Sequence, residues 1–121
     1  MRREIPGAYL ENTHCLVTAV YCAMSLYNTS PHGYPKIRSD GYATLDAANR
    51  WIRDNLRIRK RIDFKRGDRP KLKDLHLQGQ AIVCVLGHYI FLDHETYWSF
   101  FDNEEDDVVA VWILKEERQD F

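Results

Sequence analysis

Apolar positions recur along this chain with two different periods, and the change from one to the other divides it. In HCLVTAVYCAMSLY, residues 14–27, Leu16, Val20, Ala23, Met24 and Tyr27 fall at helical spacing, with Asn12 or Thr13 placed to cap the start. Pro31, Gly33 and Pro35 in TSPHGYP then break the helix. Thr44 to Leu56 carries a second stripe of Leu45, Ala48, Trp51, Ile52 and Leu56, which predicts another helix. Ile58, Ile62 and Phe64 alternate weakly, as an edge strand does. Pro70 is suited to open a short third helix through Leu72 and Leu75, which Gly79 would stop.

From Gln80 the period becomes that of strands. AIVCVL is an apolar run expected to form a buried central strand, flanked in sequence by HYIFLD, YWSFFD and VVAVWIL, all rich in aromatic and branched residues. No repeat or linker interrupts this order. Helices first and antiparallel strands last predict one α+β domain over residues 1–121.

Composition narrows the function classes. The 121 residues are 45% hydrophobic and 29% charged, enough for a single core without staples. Net charge is −1, so the whole chain does not read as a nucleic-acid binder. The charge is uneven, with nine Lys or Arg between Arg57 and Lys73 and an acidic cluster from Asp102 to Asp107. These read as two solvated faces able to attract one another. The basic stretch is interrupted by Asp63 and Asp68 and offers only Phe64 for base stacking, which makes a nucleic-acid partner a minor reading. No stretch reaches the length of a membrane span, MRREIPGAYLENTHC has no apolar signal core, and the three cysteines suggest no disulfide framework. A cytoplasmic protein with no membrane partner is the expectation.

The segment GHYIFLDHETYWSFFDN, residues 87–103, carries the candidate chemistry. If His94, Glu95 and Thr96 form the loop between its two strands, opposed residues have numbers summing to 190. Leu92 then meets Trp98, Ile90 meets Phe100 and His88 meets Asp102. Opposed side chains lie roughly 4.5–5.5 Å apart at Cβ, a distance at which a carboxylate can orient an imidazole. A loop longer by one residue sets Asn103 opposite His88, so Asn103 is the alternative orienting residue. The face shared by His88, Ile90, Leu92, Trp98, Phe100 and Asp102 is expected to pack on a helix.

A nucleophile is available at the start of the first helix. A helix N-terminus favours a thiolate through its partial positive charge and free N–H groups, and Cys15 stands there. Cys22, two turns further in, and Cys84, inside AIVCVL, read as small core residues. Cys15 would attack an acyl carbon while His88 accepts the thiol proton and returns it to the leaving group. The Cys15 N–H and the Asn12 side chain are the candidate oxyanion donors. His14, next to Cys15, is expected to line the cleft or face solvent. No Cys pair has the two-residue spacing of a zinc site and the acidic cluster lacks the pattern of a calcium loop, so no metal or cofactor is expected.

The order of a cysteine-bearing helix followed by strands carrying His and Asp resembles the papain-like cysteine peptidase superfamily. Gly87-His88-Tyr89, Trp98 and Phe101-Asp102-Asn103 are similar to the histidine box of ubiquitin-specific proteases. Leu72 through Gly79, Ala81-Ile82-Val83 and Gly87-His88-Tyr89 resemble bacteriocin-leader peptidases. The resemblance implies a compact papain-like fold, a peptidase with Cys15 as nucleophile, His88 as base and Asp102 as orienting residue, and a protein or peptide substrate with a Gly-Gly type tail. A catalytically inactive papain-like domain that binds a protein is the alternative.

Overall fold

The protein is described from a computed structural model at residues 2–3, 14–25, 29–94, 96–99 and 102–115. Helices α1 (Cys15–Ser25) and α2 (Leu45–Asn55) precede an antiparallel sheet of five strands: β2 (Ile58–Asp63), β3 (Gln80–Val85), β4 (His88–Asp93), β5 (Thr96–Trp98) and β6 (Val108–Leu114). The order across the sheet is β5-β4-β3-β6-β2, and a two-residue β1 (Arg2–Arg3) adds to β5 in parallel. The architecture is α+β. Tyr27, Phe100 and Phe101, which the periodicity assigns to the first helix and third aromatic strand, lie outside the described residues, as do Asn12 and Thr13.

The apolar run AIVCVL supplies β3, between β4 and β6 with both edges paired. Its residues alternate between two cores. Ile82 and Cys84 join Tyr89, Phe91, Ala110 and Trp112 on the face that receives α1 and α2. Ala81, Val83 and Val85 join Ile90, Leu92, Tyr97, Val108 and Val111 on the opposite face, closed by Ile62, Phe64, Leu72, Leu75 and Leu77. Covering both faces lets the strands be apolar throughout. Each fully buried side chain of the size of Ile82 or Phe91 is worth about 1.5–3 kcal/mol in removal from water.

α1 is buried on most of its circumference, from Leu16 to Met24, and packs chiefly on β4. α2 is amphipathic, and Thr44 caps it through Oγ1, which accepts from the Ala47 N–H at 3.2 Å. Two indole N–H groups tie α2 in place: Trp112 donates to Asn49 Oδ1 at 2.9 Å, and Trp51 donates to the His32 carbonyl at 3.0 Å. The expected third helix is a single 3-10 turn, Leu72–Asp74. It is that short because its neighbours are engaged elsewhere: Lys71 bridges to Asp107, and the N–H of Leu72 donates to the Asp106 carbonyl.

The hairpin registers place the chemistry. Val85 pairs with His88, leaving Leu86 and Gly87 as a two-residue turn, and Gly87 has φ +77°, a conformation that favours glycine. Asp93 pairs with Thr96, so the second loop has two residues rather than the three expected. Opposed numbers in β4 and β5 therefore sum to 189 (Phe91 meets Trp98, Leu92 meets Tyr97). A shift of one residue exchanges faces. Tyr89, Phe91 and Trp98 consequently face α1, while Ile90 and Leu92 face the other core.

Candidate functional site

Cys15 is the first helical residue of α1 and His14 is its cap. The His14 carbonyl accepts from the Thr18 N–H at 2.9 Å, and its Nδ1 accepts from the Leu16 N–H at 3.1 Å. A nitrogen that accepts in this way carries no proton, so neutral His14 holds its hydrogen on Nε2, which donates to the Gly41 carbonyl at 2.9 Å. His14 is half-buried, with its ring folded over the helix start and Nδ1 3.8 Å from Cys15 Sγ. The turn from Arg38 to Tyr42 is drawn against the start of α1 by this contact and by the bond from Tyr89 Oη to the Ala43 carbonyl at 2.8 Å.

The Cys15 sulfur is half-buried, with the backbone N–H groups of Tyr89, Leu16 and Cys15 itself nearby. The helix start therefore lies near Tyr89 in β4, and strand alternation turns His88, with Ile90 and Leu92, toward the opposite face, so Cys15 and His88 are not brought into contact by any bond described. These N–H groups favour the thiolate, but burial outweighs them and holds the thiol above its ordinary value. The sequence expectation of an acidified thiol is corrected on that ground. Cys22 and Cys84 are buried thiols pushed up to about 11 and about 12 by loss of water. Burial acts on His88 in the opposite direction, lowering its pKa. The Asp106 charge partly offsets this, and His14 adds to it.

The expected His88–Asp102 pairing is not formed. The 189 register carries Asp102 away from His88, and its carboxylate accepts from Tyr97 Oη at 3.2 Å and from the Glu104 N–H at 3.1 Å. His88 Nε2 instead lies 3.2 Å from Ser99 Oγ, and the Ser99 hydroxyl donates to Asn103 Oδ1 at 2.5 Å. Asn103, the alternative orienting residue, is thus joined to His88 through an intervening serine. Asn103 Nδ2 continues the chain by donating to Asp106 Oδ2 at 2.7 Å. Ser99 and Asp106 were not anticipated from the sequence. The available signal was a lone hydroxyl in the aromatic run YWSFF, where a buried polar group needs partners.

The turn from Asn103 to Asp107 is clamped by the basic segment, as the charge pattern suggests. Lys71 Nζ lies 2.7 Å from Asp107 Oδ1, Lys73 Nζ lies 2.6 Å from Glu105 Oε1, and the Lys73 N–H donates to the Glu104 carbonyl. Among the described residues, no three or more His, Cys, Asp or Glu side chains are grouped to hold a metal ion, and no helix is long and apolar enough to cross a membrane. A groove of about 470 Å³ between residues 34–38 and α2 is lined by Ile37, Arg38, Ala47, Arg50 and Trp51, but not by Cys15, His88 or Ser99. No family model matches the chain, and no curated protein or solved structure matches it.

Proposed function

We propose that the protein is a papain-like cysteine hydrolase that cleaves peptide or isopeptide bonds, with Cys15 as nucleophile and His88 as general base. What supports it is the position of Cys15 at the start of α1, which packs chiefly on β4, the strand that His88 opens. In the reaction the Cys15 S–H proton passes to His88 and the sulfur bonds the substrate carbonyl carbon. The C–N bond then breaks, and the leaving amine takes the proton from His88, giving a thioester that water hydrolyses. N–H groups at the α1 start are the donors for the oxyanion, with Asn12 beyond the described residues as the side-chain candidate. Asp102 remains the orienting residue implied by the family resemblance, whereas the contacts at His88 favour Asn103.

A catalytically inactive papain-like module that binds a protein is the second reading, and the burial that raises the Cys15 thiol favours it. Iodoacetamide labelling of each cysteine across a range of pH, read by mass spectrometry, separates the two. An enzyme requires labelling concentrated at Cys15 and slowed in His88→Ala, followed by cleavage of a peptide library. Equal, slow labelling of all three thiols with no effect of His88→Ala overturns the hydrolase assignment.

A further inference from the structure

We infer that Arg69 and Tyr42 form a binding site for a carboxylate, supplied by a bound peptide, at the end of the sheet where α1 begins. As a determinant of substrate class the site rests on the reading of Cys15 as nucleophile. As an anion site it stands apart from that reading.

Arg69 is half-buried and its Nε is shut off from water, yet no group among the described residues accepts a hydrogen bond from that atom. It is the one buried side-chain nitrogen or oxygen among them left in this state. A buried guanidinium N–H without an acceptor is costly, so the place calls for one. Other cations of the same region each have a carboxylate: Arg61 holds Asp63, Lys71 holds Asp107, Lys73 holds Glu105 and Arg38 holds Asp40. Arg69 pairs with none of the described carboxylates.

The backbone that carries Arg69 is pinned rather than free to swing. The Pro70 carbonyl accepts from the Val108 N–H at 2.8 Å, and Lys71 bridges to Asp107. From this anchor the guanidinium charge acts on two neighbours. Burial raises the Tyr42 hydroxyl and the Cys84 thiol, and the Arg69 charge opposes it at both. Cys84 pairs across the hairpin with Tyr89, whose hydroxyl is tied to the Ala43 carbonyl, next in sequence to Tyr42. Cys15 packs against the same core cluster and also acts on Cys84. Arg69, Tyr42 and Cys15 are therefore gathered around one cross-strand pair, Cys84 with Tyr89.

The free groups select the ligand. Tyr42 is 36% exposed, so the place is open to solvent on that side. The Nε and one Nη of a guanidinium present two parallel N–H groups at the spacing of carboxylate oxygens. A phosphate dianion asks for more charge than is free here, since Arg38, the other cation acting on Tyr42, is engaged by Asp40. One guanidinium and one hydroxyl suit a single carboxylate.

The test follows the Nε–H signal of Arg69 in ¹⁵N spectra of the wild-type protein, identified by its loss in Arg69→Lys. Acetate, exchanged for chloride at constant ionic strength, is expected to shift that signal saturably. A signal that does not move overturns the inference, and tighter binding of inorganic phosphate than of acetate overturns the choice of a carboxylate. Acetate affinity, read on the ring signals of Tyr42, should fall at least about tenfold in Arg69→Gln, the scale of a lost charge-assisted hydrogen bond. An unchanged affinity there overturns the inference, and if the variant fails to fold the wild-type titration still decides. Acetylated tripeptides separate the sources: one with a free C-terminus, one amidated with a central Asp, and an amidated uncharged control. Binding of either charged peptide but not the control supports the site and tells which carboxylate it reads, whereas equal binding of all three overturns it. A bound peptide at about ten times its Kd should slow iodoacetamide labelling of Cys15 about tenfold. Binding at Arg69 that leaves this labelling unchanged supports the anion site and overturns its part in substrate choice. Failure of the hydrolase reading is seen separately, in Cys15 labelling that ignores His88→Ala without any peptide present.

Discussion

His88 Nε2 faces the Ser99 hydroxyl at 3.2 Å, while the Asp102 carboxylate is turned to Tyr97 and the Glu104 N–H. Asp102 and Asn103 are adjacent in sequence, so their replacements give opposite expectations. Asp102→Asn keeps an acceptor for both of its donors and should leave the labelling rate of Cys15 within about twofold of wild type. Asn103→Ala leaves the buried Ser99 hydroxyl without its acceptor, a loss of about 1–3 kcal/mol in denaturant unfolding, together with slower labelling. Labelling as slow in Asp102→Asn as in His88→Ala would place the carboxylate in the reaction.

The thiol and the imidazole are both shifted toward their neutral forms by burial, Cys15 upward and His88 downward. Burial therefore disfavours a preformed thiolate–imidazolium pair. The labelling rate of Cys15 is expected to keep climbing through the alkaline range. A plateau already reached in mildly acidic solution would show the ion pair and contradict the effect of burial.

How much of this arrangement the sequence disclosed depends on the range of the interaction. Both helices and the four long strands followed from local periodicity, because α2 and β3 each bury a face that the sequence marks plainly. The placement of Cys15 at the start of α1 followed from the position of the polar run before it. The contact of His88 depended on hairpin register, which rests on a two-residue loop whose first residue, His94, has φ +55°. Asn or Gly would have announced such a turn, and histidine does not. The missed loop moved every opposed pair by one residue and exchanged faces, concealing Ser99 and bringing Asp102 forward. Likewise, the Nδ1 of His14 serves as a cap although imidazole lies outside the usual capping residues.

Burial of Cys22 and Cys84 makes the fold sensitive to base. Both thiols ordinarily ionise at 9.0 but rise to about 11 and about 12 when folded. Above pH 9 the unfolded chain therefore gives up protons that the folded chain retains, and stability must fall as pH rises through that window. Urea midpoints should be flat near neutrality and decline beyond pH 9, with a shallower decline in Cys84→Ala. The shift of His88 works in the opposite sense: the unfolded chain takes up a proton first as pH falls below 6.5, so acidification also costs stability. An equally steep alkaline decline in Cys84→Ala would show that its thiol does not contribute.

His14 caps α1 through Nδ1 and holds Gly41 through Nε2, so its two functions can be separated by substitution. His14→Ala removes both and should destabilise the protein by about 1 kcal/mol, the usual cost of a lost N-cap. His14→Asn supplies a good capping side chain, which should recover that stability without restoring the tie to Gly41. Denaturant unfolding of the two variants measures the difference. If His14→Ala were as stable as wild type, the ring would not be capping the helix.

Gly87 is the residue that delivers His88 to the first position of β4. Its φ of +77° completes the two-residue turn after Val85, and a built Cβ would meet no neighbour within 4 Å. The cost of Gly87→Ala is therefore backbone strain alone, about 1–2 kcal/mol for a left-handed residue with a side chain. The turn can relieve that strain only by changing the Val85–His88 pairing, which would also move the Tyr89 N–H away from Cys15 Sγ. Gly87→Ala should accordingly lower stability by that amount and slow Cys15 labelling, with the slowing partly reversed in Gly87→Asn, which tolerates positive φ better. A Gly87→Ala protein that loses stability but labels at the wild-type rate would show that the turn serves the sheet without positioning the site.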